Sequence, residues 1–454
     1  VLKISIISVF PHLHQSFIET SLIARACKDG RVAFKTYAFS DFCEPGERID
    51  TGIAGHGPGM LIKSSVVEKA IEAAEAEWGR GYRIFFSPQG ILVTQDLLKN
   101  LMQRCMQSSI QSDAVLKSST HLLETNEAFQ DSDSHILLVC SRYEGIDCRV
   151  EQYYADLLLS IGDYVLMGGE VAANVFLEAF LRLIPGVVGN ADSVEQDSFE
   201  QGLLDYPSYA LPTIWKDQEM PAVIRSGNHG ALQEWRETAS VQKTMTRRFD
   251  LIKKYGLAKK YRLQALAAIP SHYLVLMHGE VLMKNGDVGT TSIGSLNFHD
   301  ICRASRTYGI KKVFIVTPLE DQHQIIATFL HFWQGTSGQS YNAARSSAID
   351  LLVPLRSFDE VKKAIAHEEG VEPLIMTTSA KVYEHAPSID YQSQNRVWDQ
   401  KKPILLVFGT GQGLAPHIME QSSYILKPVF GMTDFNHLSV RSAIAIILDR
   451  WLGF

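Results

Sequence analysis

Apolar and polar residues follow two different periods along the first 190 residues. Short apolar runs at 3–9, 83–87, 136–140 and 162–167 have the length and composition of strands. Between them, Ser65 to Trp78 sets Val66, Val67, Ala70, Ile71, Ala74 and Trp78 on one side of a helix, with Glu68, Lys69, Glu72 and Glu75 on the other. Strands alternating with helices predict an α/β domain over 1–190 with a largely parallel sheet. Residues 104–134 are rich in Gln, Ser and Asp without a period and predict a surface excursion. The acidic stretch Asn190 to Gly202 has no apolar period either, which makes 191–204 a linker or functional loop. A small, mostly helical segment follows over 205–265. A second α/β pattern occupies 268–454, from Tyr273-Leu274-Val275-Leu276-Met277 to a helix over Val440 to Trp451. The two halves echo each other weakly. Leu137 to Ser141 and Leu405 to Gly409 each run into a polar, glycine-containing loop, followed by a second apolar run (Tyr164-Val165-Leu166 and Tyr424-Ile425-Leu426) and a helix.

Composition adds bounds. A chain of 454 residues exceeds one hydrophobic core, so a single small module is excluded. With 46% apolar and 20% charged residues it is an ordinary globular protein, neither a disordered tail nor a fibre. The formal charge of -7 excludes a surface that wraps nucleic acid on all sides, so a polyanionic partner must meet a local patch. Residues 243–262 provide one: Lys243, Arg247, Arg248, Lys253, Lys254, Lys259, Lys260 and Arg262 against Asp250 give +7, beside Tyr255 and Tyr261. On charge alone this reads as a solvated helix face, or else as a phosphate-tracking surface with aromatics for base stacking. The six cysteines lack a C-x-x-C pair or metal-ligand spacing, which points to reduced thiols in the cytoplasm and leaves any metal unspecified. No apolar run reaches the ~18–20 residues of a membrane span, and Val1 to Phe10 reads as a first strand without an initiator methionine or a signal-peptide cleavage site.

Four loops of the first domain carry too much glycine or charge for a core: Gly55-His56-Gly57-Pro58-Gly59-Met60, Phe86-Ser87-Pro88-Gln89-Gly90, Arg142-Tyr143-Glu144-Gly145-Ile146-Asp147, and Ser160 to Glu170 with its Gly168-Gly169 pair. Each follows or adjoins a strand, and ligands of open α/β sheets bind at the carboxyl ends of strands. Together they predict a cofactor site.

With these loops in order, residues 1–256 resemble the bacterial tRNA (guanine-N1)-methyltransferases of the SPOUT superfamily. The resemblance rests on those segments and on Ile6-Ile7-Ser8-Val9-Phe10-Pro11, Ser160-Ile161-Gly162-Asp163-Tyr164-Val165-Leu166, Ile184-Pro185-Gly186-Val187, Asp197-Ser198-Phe199, Gly202-Leu203-Leu204-Asp205-Tyr206-Pro207 and Ser226-Gly227-Asn228-His229. It implies a trefoil-knotted parallel-sheet domain, a small helical tRNA-binding domain and a homodimer whose active site forms between subunits. It also implies methylation of guanine N1 at tRNA position 37, 3′ of the anticodon, with S-adenosylmethionine as methyl donor and Mg²⁺ as an assisting ion. By the same resemblance the cofactor lies against Phe86, Ser87, Pro88, Ser141, Glu144, Ile161, Gly162, Tyr164, Leu166, Gly168 and Gly169, with Asp205 on a linker that closes over it. Asp50, Gly57, Gly59, Ser198, His229, Arg247 and Arg248 would face the tRNA. Guanine N1 carries a proton at neutral pH, so transfer needs a base, and Asp197 matches the family's base. Charge then develops on guanine O6, which Arg182, at the family's arginine position, would stabilise. Without the resemblance, Arg182 reads as a surface cation on a helix over Val175 to Leu183, and Asp197 as one more solvated acid.

Departures from the family pattern are Thr51, Ala54, His56, Ser141, Ala172 and Leu211, none of which removes Asp197 or Arg182. The C-terminal domain resembles a second SPOUT-type predicted RNA methyltransferase, through Arg303 to Gly309, Phe408-Gly409-Thr410-Gly411-Gln412-Gly413-Leu414 and Asn436-His437-Leu438-Ser439-Val440-Arg441. Its candidate residues are Gly409, Gly411, Gly413, Asn436, His437 and Arg441. Two other readings stay open: a methyltransferase for a different RNA base, and a C-terminal domain that only binds RNA or dimerises.

Overall fold

A computed structural model describes residues 1–107, 135–189, 197–383 and 387–454, which divide into two units, 1–200 and 201–454. The first unit is built on five parallel strands: β1 (Leu2–Ser8), β2 (Val32–Ala38), β5 (Tyr82–Leu92), β6 (His135–Val139) and β7 (Leu157–Ser160), in the order β2-β1-β6-β5-β7. A small antiparallel hairpin, β3 (Asp50–Gly52) and β4 (Met60–Ile62), stands apart from the sheet. The inner strand β6 and the strand β7 are almost continuously apolar because both faces are covered. Ile4, Ile6, Ile84 and Leu138 point into one core with Phe176 and Phe180, while Ile7, Phe85, Leu137 and Val139 point into another with Val67, Ala70 and Ile71.

The helices are α1 (His12–Ile18), α2 (Ser21–Lys28), α3 (Ser64–Trp78), α4 (Gln95–Gln107), α5 (Cys148–Tyr154) and α6 (Gly169–Leu181). The helix expected over Ser65 to Trp78 is α3. The surface excursion expected from residue 104 begins later, because α4 runs on through Gln107; the rest of it, and 190–196, lie outside the described residues. One expected strand is corrected. The run 162–167 is not a strand: the chain leaves the sheet after Ser160, and Tyr164, Val165 and Met167 stand exposed. Leu157-Leu158-Leu159 supplies the buried strand instead, and the flanking glycines at 162 and 168 free the later apolar run to form a loop. The supposed echo therefore fails at its second step in this half.

The second unit holds seven parallel strands: β10 (His272–Met277), β13 (Val313–Val316), β14 (Leu352–Leu355), β15 (Leu374–Thr378), β16 (Ser388–Ile389), β17 (Ile404–Gly409) and β18 (Tyr424–Leu426), in the order β14-β13-β10-β17-β15-β18-β16. Two short hairpins, β8–β9 (Ile214–Trp215 and Gln218–Glu219) and β11–β12 (Val281–Leu282 and Val288–Gly289), lie outside it. Helices His229–Arg247, Phe249–Tyr255 and Arg262–Ala267 precede the sheet and share its core: Val241, Met245, Phe249, Ile252 and Ala265 are buried together with Leu274, Trp398 and Trp451. No helix among the described residues is long and apolar enough to cross a membrane.

Candidate active site

Neighbouring strands β6, β5 and β7 run in parallel, and the segments at their carboxyl ends wall a cavity of about 390 Å³. That size falls within the roughly 300–1,000 Å³ of small-molecule sites, and the place is where open α/β sheets bind ligands. Phe86, Ser87 and Pro88 come from a break in β5, where the pairing with β7 slips between Phe86 and Ile91. Ser141 and Glu144 follow β6, while Ile161, Gly162, Tyr164, Leu166, Gly168 and Gly169 follow β7. The structure thus brings all eleven first-unit residues expected at a cofactor to one cavity. Asp205 belongs to the second unit.

Glycine is required at the wall because backbone meets backbone there. A Cβ on Gly169 would lie 2.8 Å from Cys140 Cα and 2.9 Å from the Ser141 nitrogen. Gly169 N–H donates to the Ser141 carbonyl at 2.7 Å, which fixes the start of α6 beside the end of β6. Arg142 braces the same corner. Its Nε donates to Glu170 Oε2 at 2.9 Å, and its guanidinium lies 4.9 Å from the Phe10 ring centroid. Ser8 Oγ donates to the other oxygen of the buried Glu170 at 3.0 Å. A buried carboxylate is stable here because a charged and a neutral donor satisfy it.

The β3–β4 hairpin docks on the rim, through Glu144 N–H to the Met60 carbonyl (3.0 Å) and Ile62 N–H to the Gly145 carbonyl (3.0 Å). Gly59, at φ +94°, leaves space that a Cβ would share with Glu144. Gly57 belongs to the loop at the hairpin tip. His56, beside it, adopts φ +59°, a left-handed conformation in which glycine is unstrained. Asp50 is buried at the hairpin base. Arg48 donates to both its oxygens, at 2.9 and 2.8 Å, and this holds its carboxyl below the usual range.

The two residues expected to do chemistry are brought together. Arg182 caps the carboxyl end of α6 and donates through Nη2 to Asp197 Oδ2; both side chains are about two-fifths exposed, and neither lines the cavity. Ser198 follows directly. Glu200 then ties this segment to α4, accepting from Gln95 Nε2 at 2.8 Å and pairing with Lys99.

Comparison with known proteins decides the family. A profile described as tRNA (guanine-1)-methyltransferase TrmD matches residues 2–110 and 111–254, and one described as SAM-dependent RNA methyltransferase matches 271–453. A tRNA (guanine-N(1)-)-methyltransferase of Nitratidesulfovibrio vulgaris is 33% identical over 468 residues, covering 100% of this chain and 99% of that protein. The chain belongs to the tRNA (guanine-N1)-methyltransferase family. A second relative of the same name, from Oleidesulfovibrio alaskensis, is 31% identical over 459 residues, with the same coverage. One from Coxiella burnetii is 35% identical over 260 residues, 57% of this chain and 94% of its own. The first unit and the start of the second thus match relatives that lack the C-terminal region, while other relatives carry both.

In this methyltransferase the residues expected to face tRNA are split: Asp50, Gly57, Gly59 and Ser198 belong to the first unit, and His229, Arg247 and Arg248 to the helices that open the second. His229 begins Leu232's helix, which is capped by Asn228 Oδ1 accepting from Ala231 N–H at 3.1 Å. Asp205 accepts from Lys243 Nζ at 2.9 Å. Arg247 ends the helix, and Arg248 donates to Asp250 from Nε at 2.9 Å and from Nη2 at 2.8 Å. Lys260 pairs with Glu237 at 3.2 Å, so the basic cluster is partly neutralised by folding. Arg248, Lys253 and Lys254 line a second cavity of about 680 Å³ with Gln392, Gln394 and Asn395.

The C-terminal candidates separate. Gly409 ends β17, and Gly411 and Gly413 follow in one turn, at φ +61° and φ +116°. This turn is bonded to its neighbours: Gln412 N–H donates to the Leu282 carbonyl at 2.8 Å, and a Cβ on Gly411 would lie 2.6 Å from that oxygen. Asn436 donates to the Ala380 carbonyl at 3.0 Å, Arg441 lies 3.5 Å from Asp300, and His437 packs edge-on against Phe435.

Sequence reasoning missed Leu159, Cys148 and Glu151 on the cavity wall. For the last two a signal existed: Asp147 accepts from Arg149 N–H and starts α5, which puts residues 148 and 151 one turn apart on a single face.

Proposed function

We propose that the first-unit cavity holds S-adenosylmethionine and that the accepting atom is N1 of the guanosine 3′ of the anticodon. The convergence of all eleven expected residues on one cavity carries this reading. The lining suits the cofactor: apolar Phe86, Leu159, Ile161 and Leu166 for an adenine ring, polar loop backbone for its other groups, and a wall at Gly169 that admits no side chain. The bound cofactor supplies an electrophilic methyl group.

The chain's own residues then have defined tasks. Asp197 accepts the N1 proton of guanine, and Arg182 holds the charge that develops on O6. Their ion pair sets the carboxylate and the guanidinium side by side, as the two roles require. Because neither lines the cavity, the reading is completed by a homodimer in which one protomer's pair meets its partner's cofactor, in a trefoil-knotted domain. We place the enzyme in the cytoplasm with its tRNA substrate. Among the described residues no group of three or more His, Cys, Asp or Glu side chains is set to hold a metal, so no step is assigned to Mg²⁺. Mass spectrometry of tRNA nucleosides from a strain lacking this protein tests the reading: loss of N1-methylguanosine beside the anticodon supports it, and unchanged N1-methylguanosine there overturns it.

Residues 205–265 are proposed as the tRNA-binding segment. Removing Arg247, Lys254 and Lys259 together, each by alanine, is expected to weaken tRNA binding without changing affinity for S-adenosylmethionine. The slope of log K against log salt should fall by roughly one per cation removed, and an unchanged slope would place the tRNA elsewhere.

The C-terminal domain is read as a second methyltransferase domain, on its match to the SAM-dependent RNA methyltransferase profile over 271–453. Calorimetry on the full chain is expected to find two S-adenosylmethionine molecules per chain; one alone would leave this domain as an RNA-binding or dimerisation module.

A further inference from the structure

Among the described residues three charged side chains line the first cavity: Arg142, Glu144 and Glu151. The Arg142 charge is matched by buried Glu170, 2.9 Å away, so the cavity is left with two carboxylates in excess. Glu151 is the more telling of the two. It lies in the first turn of α5, is partly buried, and among the described residues its carboxylate has no hydrogen-bond or ion-pair partner. Burial alone pushes its pKa up. Water solvates the exposed part of this carboxylate, while the part that lines the cavity has no protein partner among the described residues, so an occupant of the cavity with a matching charge would be favoured there. The group that matches it is a cation.

We propose that Glu151, with Glu144, makes the cavity select the sulfonium form of the cofactor over the neutral thioether that remains after methyl transfer. This deepens the reading that S-adenosylmethionine occupies the cavity and rests on it. The sulfonium carries one methyl group and one positive charge more than S-adenosylhomocysteine, and the two share every other group. Contacts to adenine, ribose and the amino-acid end cannot separate them, whereas an uncompensated carboxylate can, because specificity is a difference of affinities. The same charge acts after transfer: once the ligand becomes neutral the attraction is lost, and the product is held less tightly than the donor. Glu151 is thus a specificity residue that takes no part in proton or methyl transfer. Nothing in the motif-bearing loops encodes it.

Calorimetric titration of the full chain with S-adenosylmethionine and with S-adenosylhomocysteine tests this in the wild type, Glu151→Gln and Glu151→Asp. Glu151→Gln is expected to bind S-adenosylmethionine about tenfold more weakly, as for loss of one partly shielded charge pair, while S-adenosylhomocysteine binding stays within about twofold. Glu151→Asp should recover most of the preference. Equal weakening toward both ligands would assign Glu151 a structural role, and no change toward either would show that its charge is not felt; both results overturn the proposal. Failure of the wild type to bind either ligand would instead remove the cofactor reading itself.

Discussion

Asp197→Ala is expected to lower single-turnover methyl transfer by about 10²- to 10⁴-fold, the usual contribution of a positioned general base, while leaving affinity for S-adenosylmethionine within about twofold. The separation of the two effects follows from the geometry. Asp197 lies beyond the carboxyl end of α6, paired with Arg182, and does not line the cavity. Asp197→Asn should be nearly as damaging, because it keeps the shape and loses the basicity. Arg182→Ala should also slow transfer, through loss of the charge that stabilises O6 and of the partner that orients the base. A variant at 197 that turns over near the wild-type rate would refute the assignment.

The second large effect is expected at Gly169. Alanine there would place its Cβ 2.8 Å from Cys140 Cα and 2.9 Å from the Ser141 nitrogen. Real Cβ atoms do not approach that closely, and neither neighbour is a side chain that can rotate away, so the start of α6 must shift from the end of β6. Such overpacking costs roughly 1–3 kcal/mol. For a unit of this size that lowers the melting temperature by about 2–4 °C per kcal/mol. The shift also moves the cavity wall, so binding of S-adenosylmethionine should weaken at least tenfold even in protein that remains folded. Thermal melting and cofactor titration of Gly169→Ala, with Ser141→Gly as a control that adds no atoms, separate this from a general loss of structure. A Gly169→Ala protein with wild-type affinity would mean that the wall is not where the cofactor rests.

What could be read from the sequence follows a physical line. The loops at Ser87, Glu144 and Gly168 were legible because glycine, proline and charge directly after an apolar run cannot belong to a core, and the ends of parallel strands bring such loops together. The strand expected at 162–167 misled because Tyr164-Val165-Leu166-Met167 is apolar enough for a sheet. Their exposure is paired with a lining role for Tyr164, Val165 and Leu166, and apolar residues at a cavity look like core residues in one dimension. The corner formed by Ser8, Arg142 and Glu170 was illegible, since its members are separated by up to 162 positions and only the fold joins them. Charge counting erred in the other direction. The +7 of residues 243–262 ignores Asp205 and Glu237, which lie outside that window and pair with Lys243 and Lys260. Glu151 shows the same limit: a lone acid on a short helix acquires meaning only when the cavity beside it is seen.

The central claim, that this chain methylates guanine N1 beside the anticodon, is tested most directly with purified protein, tRNA transcript and S-adenosylmethionine labelled in the methyl group, the product being mapped by nuclease digestion and mass spectrometry. The account predicts one labelled N1-methylguanosine at the position 3′ of the anticodon, and no label when that guanosine is replaced by adenosine. Label on another base, or on the adenosine-substituted transcript at the wild-type rate, would contradict it.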